Sequence, residues 1–197
     1  MPPKCRFTED EILSCALDIV RRDGMAALTA REVAKRLSAS TKVIFYYFPD
    51  METLRARVTE AADALYQRRI AEEMAAGEYP PYKASGMAYI RFAREEKALF
   101  RLLFMRDRSK EDTRANEGDL SPFVRIIREN TGVSEEKAFF MHLEMWVYVH
   151  GIATMIVTGY LNWDMETVSG MLTDIYRGIC ARFAKGGEQQ NGSDSDA

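Results

Sequence analysis

Apolar residues recur along most of the chain at the three- and four-residue spacing of an α-helix. From Thr8 to Gly24 one helical face carries Ile12, Leu13, Ala16, Leu17 and Val20. Helical patterns or strong helix formers continue through 29–37, 41–47, 51–76, 82–105, 121–132, 134–160 and 164–183. Because no stretch alternates apolar and polar residues as a strand does, the pattern predicts an all-α protein.

Local signals indicate where the first helices begin and end. Thr8 with Glu11, and Thr29 with Glu32, have the spacing of a capping box, in which each side chain bonds the other residue's backbone N–H. Gly24 is a typical helix stop. These ends are therefore predicted from residues that lie within one turn of each other.

Three segments interrupt the helical pattern. Residues 77–81, Gly-Glu-Tyr-Pro-Pro, cannot continue a helix and mark a candidate domain boundary. Residues 107–121 are rich in charge and poor in aliphatic side chains, so we expect a mobile loop. Residues 186–197 have no apolar side chain except the final alanine, and we expect a disordered tail.

The composition restricts the class of protein. The 197 residues include 27 Lys plus Arg and 30 Asp plus Glu, a net charge of −3, with 47% hydrophobic residues. A core is therefore possible, and a binder with a basic surface all round is excluded. Positive charge is concentrated between Arg21 and Lys42, where six basic residues face two acidic ones. Any nucleic-acid contact should come from this local patch.

Cysteine usage and the N-terminus favour a cytoplasmic protein. Cys5, Cys15 and Cys180 form no CxxC pair, so neither a disulfide framework nor a zinc site is expected. The first residues are polar and lack the apolar stretch of a signal peptide. The 17 residues from Met145 to Leu161 contain no Asp, Glu, Lys or Arg, but they lack basic flanks, so a helix buried in a core or subunit interface is favoured over a membrane span.

The segment 29–48, TAREVAKRLSASTKVIFYYF, predicts a helix-turn-helix. Two short helices are separated by the three residues 38–40, and small or apolar side chains are spaced to pack the helices together. The second helix would enter the major groove of DNA, and Ser40 with the N-terminus of that helix could hold a phosphate. The expected DNA-binding residues are Thr29, Arg31, Ser40, Thr41, Lys42, Tyr46 and Tyr47. From the residues alone, a second reading stays open, with Tyr46, Tyr47 and Phe48 as core aromatics and the basic residues as a solvated face.

Residues 8–55 resemble the N-terminal DNA-binding domain of TetR-type transcriptional regulators. The matching pieces are ILSCALDIVRRDGMAALTAREVAKRLSAS and VIFYYFPDMETL, in the same order and spacing. Two positions depart from the family pattern, which usually has Tyr where this chain has Phe45 and a phosphate-binding Lys where it has Met51. Loss of that charge should lower the affinity for DNA and its salt dependence.

The C-terminal half is similar to one branch of the same family. AYIRFAREEKALFRLLF and MWVYVHGIATMIVTG resemble the signatures of a domain named for a Trp-His-Gly motif, here Trp146, His150 and Gly151. The resemblance implies a helical bundle that dimerises through its last two long helices and encloses an effector pocket. We therefore expect a DNA-binding domain at 1–55, an effector and dimerisation domain at 56–185, and the tail at 186–197.

The Met and aromatic residues of the C-terminal half permit two interpretations. They could be ordinary core, or they could enclose an adaptable, mostly apolar cavity for a small molecule. The candidate effector residues are Tyr89, Phe92, Phe104, Met141, Glu144, Met145 and Tyr148. Glu144 either faces solvent or supplies the polar contact that orients an effector.

The candidate dimer interface lies on the last two helices. Its expected residues are His150, Gly151, Thr154, Leu172, Ile175 and Ile179. A lone histidine on an apolar helix is more often a hydrogen-bonded core or interface residue than a ligand contact, which favours the first role for His150. The sequence offers no nucleophile, general base or metal-ligand constellation, so no catalytic residue, metal or cofactor is expected.

These observations favour a homodimeric transcriptional repressor that binds a near-palindromic duplex and responds to a small-molecule effector. Its expected partners are double-stranded DNA, a second copy of the chain and a largely apolar effector, with no membrane. The alternative is an all-α small-molecule-binding protein or enzyme with a vestigial DNA-binding head. An activator would share every residue-level feature with a repressor.

Overall fold

The computed structural model describes residues 7–107 and 120–185, and for Ala184 and Lys185 it describes the backbone alone. Over these ranges it contains nine α-helices and no strand, which confirms the all-α prediction. The helices are α1 Glu9–Asp23, α2 Ala30–Arg36, α3 Thr41–Tyr47, α4 Met51–Ala76, α5 Pro81–Glu95, α6 Lys97–Phe104, α7 Ser121–Thr131, α8 Glu135–Thr158 and α9 Met165–Lys185. The predicted mobile loop, apart from its ends, and the predicted tail lie outside the described residues.

The two predicted capping boxes differ in the structure. At α1 both hydrogen bonds form, since the Glu11 N–H donates to Thr8 Oγ1 at 3.2 Å and the Thr8 N–H donates to Glu11 Oε2 at 2.7 Å. At α2 the Glu32 N–H donates to Thr29 Oγ1 at 3.1 Å, but the Glu32 carboxylate accepts from Arg36 Nε at 3.0 Å. Glu32 therefore bonds the Arg36 side chain, one turn later in the helix, in place of the Thr29 backbone N–H.

The helix predicted over residues 82–105 is broken at Glu96. This residue separates α5 from α6 with φ −118° and ψ 50°, outside the helical region. Its side chain is 3% exposed, and its carboxylate accepts two hydrogen bonds from the Arg21 guanidinium, one of them from Nε at 2.6 Å. The prediction of a continuous helix was wrong because this partner lies 75 residues away in sequence and leaves no local signal.

The chain forms two compact units. Unit 1 comprises Met1–Arg69 and Glu95–Asp107, and unit 2 comprises Ile70–Arg94 and Arg108–Ala197. The first unit therefore includes most of α4 and all of α6, because α6 packs against α1. Its core consists of buried residues such as Ile12, Ile19, Leu28, Ile44, Phe48, Leu54, Val58 and Phe100.

Unit 2 is built around α8. This helix packs against α7 and α9, and nine of its residues are buried. Helix α5 approaches α8 and α9 at Gly86, where an added Cβ would lie 3.5 Å from Val149 Cγ2 and 3.4 Å from Leu172 Cδ1. By length and composition α8 is one helix that could also cross a membrane, with a mean hydropathy of 1.2. A core helix passes the same test, and the buried side of α8 lies within this unit.

Candidate functional site

Helices α2 and α3 form a tight pair in unit 1. After α2, the Ala39 N–H donates to the Ala34 carbonyl at 2.9 Å, and Ser38 takes the left-handed region at φ 51°, which is uncommon for a residue other than glycine. Val33 and Ala34 from α2 and Ile44 from α3 are buried between the elements. The turn and this apolar seam fix the direction of α3, and the geometry is that of a helix-turn-helix.

The outer face of α3 carries one cation and two aromatic rings. Lys42, Phe45 and Tyr46 have the i, i+3, i+4 spacing that places residues on one side of a helix. The side chain of Phe45 is 45% exposed and that of Tyr46 is 73% exposed. Lys42 is also exposed, and within the described part of the chain it forms no ion pair. Tyr46 is therefore not a core aromatic, whereas Phe48 is: its side chain is fully buried.

Tyr47 differs from Tyr46 in its surroundings. It is half-buried, and its hydroxyl donates to the Phe7 carbonyl at 2.7 Å. Its ring meets the Tyr46 ring edge to face, with centroids 4.9 Å apart. The Tyr47 ring therefore packs against the Tyr46 ring. Tyr47 was expected to bind DNA, but its hydroxyl forms a hydrogen bond within the protein. No sequence signal indicated this bond, since Phe7 lies forty residues away.

The other residues expected to bind DNA lie at the ends of α2 and α3. Thr29 caps α2, so its Oγ1 is occupied by the Glu32 N–H. Arg31 is exposed on the first turn of α2. Ser40 is the exposed N-cap residue of α3 and makes no side-chain capping bond, while Thr41 begins the helix half-buried. Their contacts with DNA stay a prediction.

Ion pairs reduce the positive charge available between Arg21 and Lys42. Arg21 is bound to Glu96, and Arg36 donates to Glu32 Oε1 at 3.0 Å and to Asp23 Oδ2 at 2.9 Å. The hydrogen bonds to these carboxylates raise the pKa of both guanidinium groups. In the described part of the chain the basic side chains of this segment that stay exposed without such a pair are Arg22, Arg31, Lys35 and Lys42.

Most of the candidate effector residues lie in the core of unit 2. The buried ones are Tyr89, Phe92, Met141 and Met145, with Tyr148 half-buried. Phe104 belongs to unit 1, where its ring packs against Tyr66 at 5.0 Å. Glu144 is partly exposed, and both of its oxygens accept from Arg182 at 2.6 Å. A hollow of about 380 Å³ in unit 1 is lined by Phe7, Glu11, Ser14, Cys15, Asp18, Arg36 and Leu37, none of which is a candidate effector residue.

Two tyrosine–histidine pairs join α5 to α8. The Tyr89 hydroxyl lies 2.8 Å from His150 Nδ1, and the Tyr82 hydroxyl lies 3.0 Å from His142 Nδ1. Burial lowers the pKa of both histidines, which favours neutral rings whose Nδ1 can accept the hydroxyl proton. Each histidine also stacks on an aromatic ring, His150 on Trp146 at 5.3 Å and His142 on Phe123 at 5.2 Å. The sequence indicated a hydrogen-bonded role for His150 but did not reveal the pair at His142.

The candidate interface residues have mixed exposure within the single chain. Leu172 is 3% exposed and Ile179 is also buried, so both side chains pack inside unit 2. His150, Gly151, Thr154 and Ile175 are half-buried, and nothing described lies within 4 Å of a Cβ added at Gly151. The large apolar side chains left exposed on or just after α8 are Phe139, Phe140, Trp146, Val147, Met155 and Tyr160. Sequence reasoning missed these residues as interface candidates because periodicity alone does not show which apolar face stays uncovered.

Metal-binding chemistry is not evident in the described residues. No group of three or more His, Cys, Asp and Glu side chains within residues 7–107 and 120–185 is arranged to hold a metal ion. Cys15 and Cys180 are free thiols, and burial raises the pKa of Cys15, which disfavours the thiolate.

Both halves of the chain match known protein families. Residues 12–58 match the family described as bacterial regulatory proteins of the tetR family, and residues 82–175 match the tetracyclin repressor-like C-terminal domain. A curated relative, an uncharacterized HTH-type transcriptional regulator from Mycobacterium tuberculosis (strain ATCC 25618 / H37Rv), is 23% identical over 182 residues, which cover 89% of this chain and 81% of the relative.

Solved structures with similar folds extend over nearly the whole chain. A TetR-like transcriptional regulator from Rhodococcus sp. RHA1 has a TM-score of 0.61 at 11% identity and covers 90% of this chain and 96% of its own. A protein of unknown function from the same organism has a TM-score of 0.64 at 19% identity, with coverages of 92% and 98%. A TetR variant from Acinetobacter baumannii AYE in complex with minocycline has a TM-score of 0.50 at 15% identity, with coverages of 91% and 98%.

Proposed function

The chain belongs to the TetR family of DNA-binding transcriptional regulators, and on this premise we propose that it is a ligand-responsive repressor. It binds a near-palindromic operator as a homodimer, and a small-molecule effector releases it. We expect this activity in the cytoplasm, where the operator DNA is accessible. The branch with the Trp-His-Gly motif stays a prediction.

The outer face of α3 is the observation that carries this proposal. A short helix held rigidly by α2 presents Lys42 and two aromatic side chains to solvent, and exposed Arg31 and Lys35 lie on α2. A helix of this kind fits the major groove, where its side chains reach base edges, while the basic side chains nearby neutralise phosphates. In a symmetric dimer two such helices read half-sites about one helical turn apart, on the order of 34 Å.

The uncovered apolar residues of α8 support self-association. Trp146 and Val147 are large and solvent-facing, with Val147 64% exposed, and Phe140 and Met155 lie about two turns away on either side. A soluble protein rarely leaves so many large apolar side chains in water on one helix unless a partner covers them. A second copy of the same helix would cover them in a two-fold interface. We therefore propose α8 as the centre of the dimer interface, which also includes its half-buried residues His150, Gly151 and Thr154.

The core of unit 2 is the proposed effector region. Its buried methionines and aromatics repack easily, and Tyr89 and His150 supply a polar group inside an apolar setting. The Acinetobacter baumannii neighbour was solved with minocycline, and ligand binding is typical of the family. The effector can act as a switch only if it binds the DNA-competent and the released geometry with different affinity.

Selection of bound duplexes from random-sequence DNA tests the proposal. The purified protein should enrich an inverted repeat, and light scattering should give the mass of two chains. Footprinting on DNA upstream of its own and neighbouring genes should then protect a site with the same repeat. Failure to enrich any sequence would overturn the proposed function.

One observation favours a second candidate, a small-molecule-binding protein or enzyme whose DNA-binding head is vestigial. Met51 stands where a phosphate-binding lysine is usual in the family, and Arg21 and Arg36 are already paired with carboxylates. Less positive charge is therefore available for phosphates. The same selection separates the two candidates, since a vestigial head would enrich no palindrome.

A further inference from the structure

Phe45 lies outside the buried seam between α2 and α3. The buried side of the helix is already formed by Ile44, and Phe48 closes the seam after it. Phe45 turns away from that seam, 45% exposed, between Lys42 and Tyr46 on the outer face. On a surface proposed to face DNA, an exposed phenyl ring in this position would meet the edges of the base pairs in the major groove.

The major groove offers few apolar partners. Each base pair shows hydrogen-bond donors and acceptors on this edge, and the C5-methyl group of thymine is the apolar group among them. A phenyl ring can neither donate nor accept a conventional hydrogen bond, so a ring held in the groove gains most beside a thymine and least beside polar base atoms. The family's usual Tyr at this position would add a hydroxyl that could bond phosphate or base, whereas Phe45 has only the apolar contact.

The neighbours of Phe45 hold this surface in place. Tyr46 is braced by the Tyr47 ring at 4.9 Å, and Tyr47 is itself fixed by its hydrogen bond to the Phe7 carbonyl. Lys42, one turn earlier, supplies a free ammonium that can bond guanine or a phosphate. The outer face is therefore a preorganised set of one apolar reader flanked by two polar ones.

We propose that Phe45 is a specificity-determining residue that packs against a thymine C5-methyl group in each operator half-site. The inference rests on the proposed function, since it names the base chemistry that the α3 surface reads. It specifies that each half-site contains a thymine whose methyl group contributes to affinity through Phe45.

Replacement of thymine by deoxyuridine tests this inference, because it removes the methyl group and leaves base pairing unchanged. The probe is the duplex that the wild-type protein enriches from a random pool, with single thymines replaced in turn and binding followed by fluorescence anisotropy. At one thymine per half-site we expect a loss of about three- to fivefold in affinity, the change given by exposing one buried methyl group. Replacement in both half-sites should lower affinity about tenfold or more.

Variants assign the effect to Phe45. Phe45→Ala should bind the thymine and deoxyuridine duplexes equally, whereas Phe45→Leu, which keeps an apolar side chain, should retain most of the discrimination. Tyr46→Phe serves as the matched control: its overall affinity falls, but its ratio between the two duplexes stays that of the wild type. Because Phe45 is exposed, the Phe45→Ala variant should unfold at a temperature near that of the wild type. A change in its DNA binding is then not caused by a change in folding.

The outcomes separate the inference from the proposed function. If the wild type enriches no duplex, both fall. If it enriches a palindrome but binds deoxyuridine at every position as well as thymine, or if Phe45→Ala keeps the full discrimination, the role of Phe45 is overturned while the proposed function stands.

Discussion

The guanidinium of Arg21 and the buried carboxylate of Glu96 form a two-point ion pair within unit 1, across 75 residues of sequence. Arg21 lies in the last turn of α1, and Glu96 is the residue between α5 and α6. The pair therefore joins the end of α1 to the residue just before α6, and α1 in turn packs against α2, the first helix of the helix-turn-helix. The break at Glu96 places this carboxylate where Arg21 can reach it.

Loss of the Arg21 side chain should destabilise unit 1. Arg21→Ala leaves the Glu96 carboxylate buried without its partner, which we expect to cost about 2 to 3 kcal/mol of unfolding free energy, less than for a fully buried pair because Arg21 is half-exposed. Urea denaturation measures the change. Arg22→Ala, one residue along and exposed, is the matched control and should change stability by less than about 0.5 kcal/mol. Equal effects of the two variants would refute the assignment.

Removal of both polar readers on α3 should weaken DNA binding without affecting the dimer. In the Lys42→Ala, Tyr46→Ala double variant each side chain is expected to account for about 1 to 3 kcal/mol, so affinity for the selected duplex should fall at least thirtyfold. Gel-shift titration measures the affinity, and light scattering measures the dimer. Full affinity in this variant would show that α3 is not the reading helix.

Restoration of a cation at the start of α4 should strengthen DNA binding. Met51→Lys supplies a phosphate contact in each subunit of the proposed dimer, so affinity should rise and the slope of log K against log salt should steepen by about 1.8, which is about 0.9 for each subunit. Binding titrations at several salt concentrations measure the slope. Met51→Gln, which is similar in length but neutral, should leave the slope unchanged. An unaltered slope in Met51→Lys would place this position away from the DNA backbone.

Mild acid should destabilise unit 2 through buried His142 and half-buried His150. Burial lowers the pKa of His142 and His150 below the ordinary value of 6.5. The unfolded chain then binds protons near pH 6.5 that the folded chain does not, so stability is full above that pH and falls as the pH drops toward the folded-state pKa values. Between pH 7.5 and 5.5 we expect a loss of about 1 to 2 kcal/mol for both rings together, reduced by solvent at half-buried His150.

Urea denaturation at the two pH values measures this loss. The His142→Gln, His150→Gln double variant should unfold with little difference between them, whatever its absolute stability. A wild-type protein whose stability is the same at pH 7.5 and 5.5 would contradict the neutral pairing of these rings with Tyr82 and Tyr89.

A charge on the exposed face of α8 should break the dimer. Trp146→Glu places a carboxylate in the proposed apolar interface, where it would be desolvated without a partner, and we expect the dimer dissociation constant to rise at least a hundredfold. Sedimentation at several protein concentrations measures it. Asn130→Glu, at the exposed end of α7, is the control and should sediment like the wild type. A fully dimeric Trp146→Glu protein would place the interface elsewhere.

Features set by residues close together in the sequence were predicted, and features set by distant residues were not. The bounds of α3 and α4, Thr41–Tyr47 and Met51–Ala76, agree with those predicted, because the signals that set them lie within a few residues. Asp50 caps α4 by accepting from the Thr53 N–H at 2.7 Å, a bond that also lowers the pKa of its carboxyl group. The break at Glu96 was missed because the partner of this carboxylate, Arg21, lies on another helix and 75 residues away in sequence.

The candidate site shows the same limit. The spacing of Lys42 and Tyr46 on one face is a property of the helix and was predictable. The hydrogen bond of Tyr47 to Phe7 depends on how the segment before α1 lies against α3, which no periodicity encodes. Phe104, expected near the effector with Tyr89, instead packs in unit 1 because α6 joins that unit.

The hydrogen bond from Tyr47 to the Phe7 carbonyl also bears on how the protein is handled in the laboratory. The backbone just before α1 is part of the support of α3, so a truncation that removes Phe7, or an affinity tag fused directly to it, acts on the DNA-reading surface itself. Binding constants measured on such preparations would describe the fusion as much as the protein. A cleavable tag on the opposite end of the chain leaves that support intact.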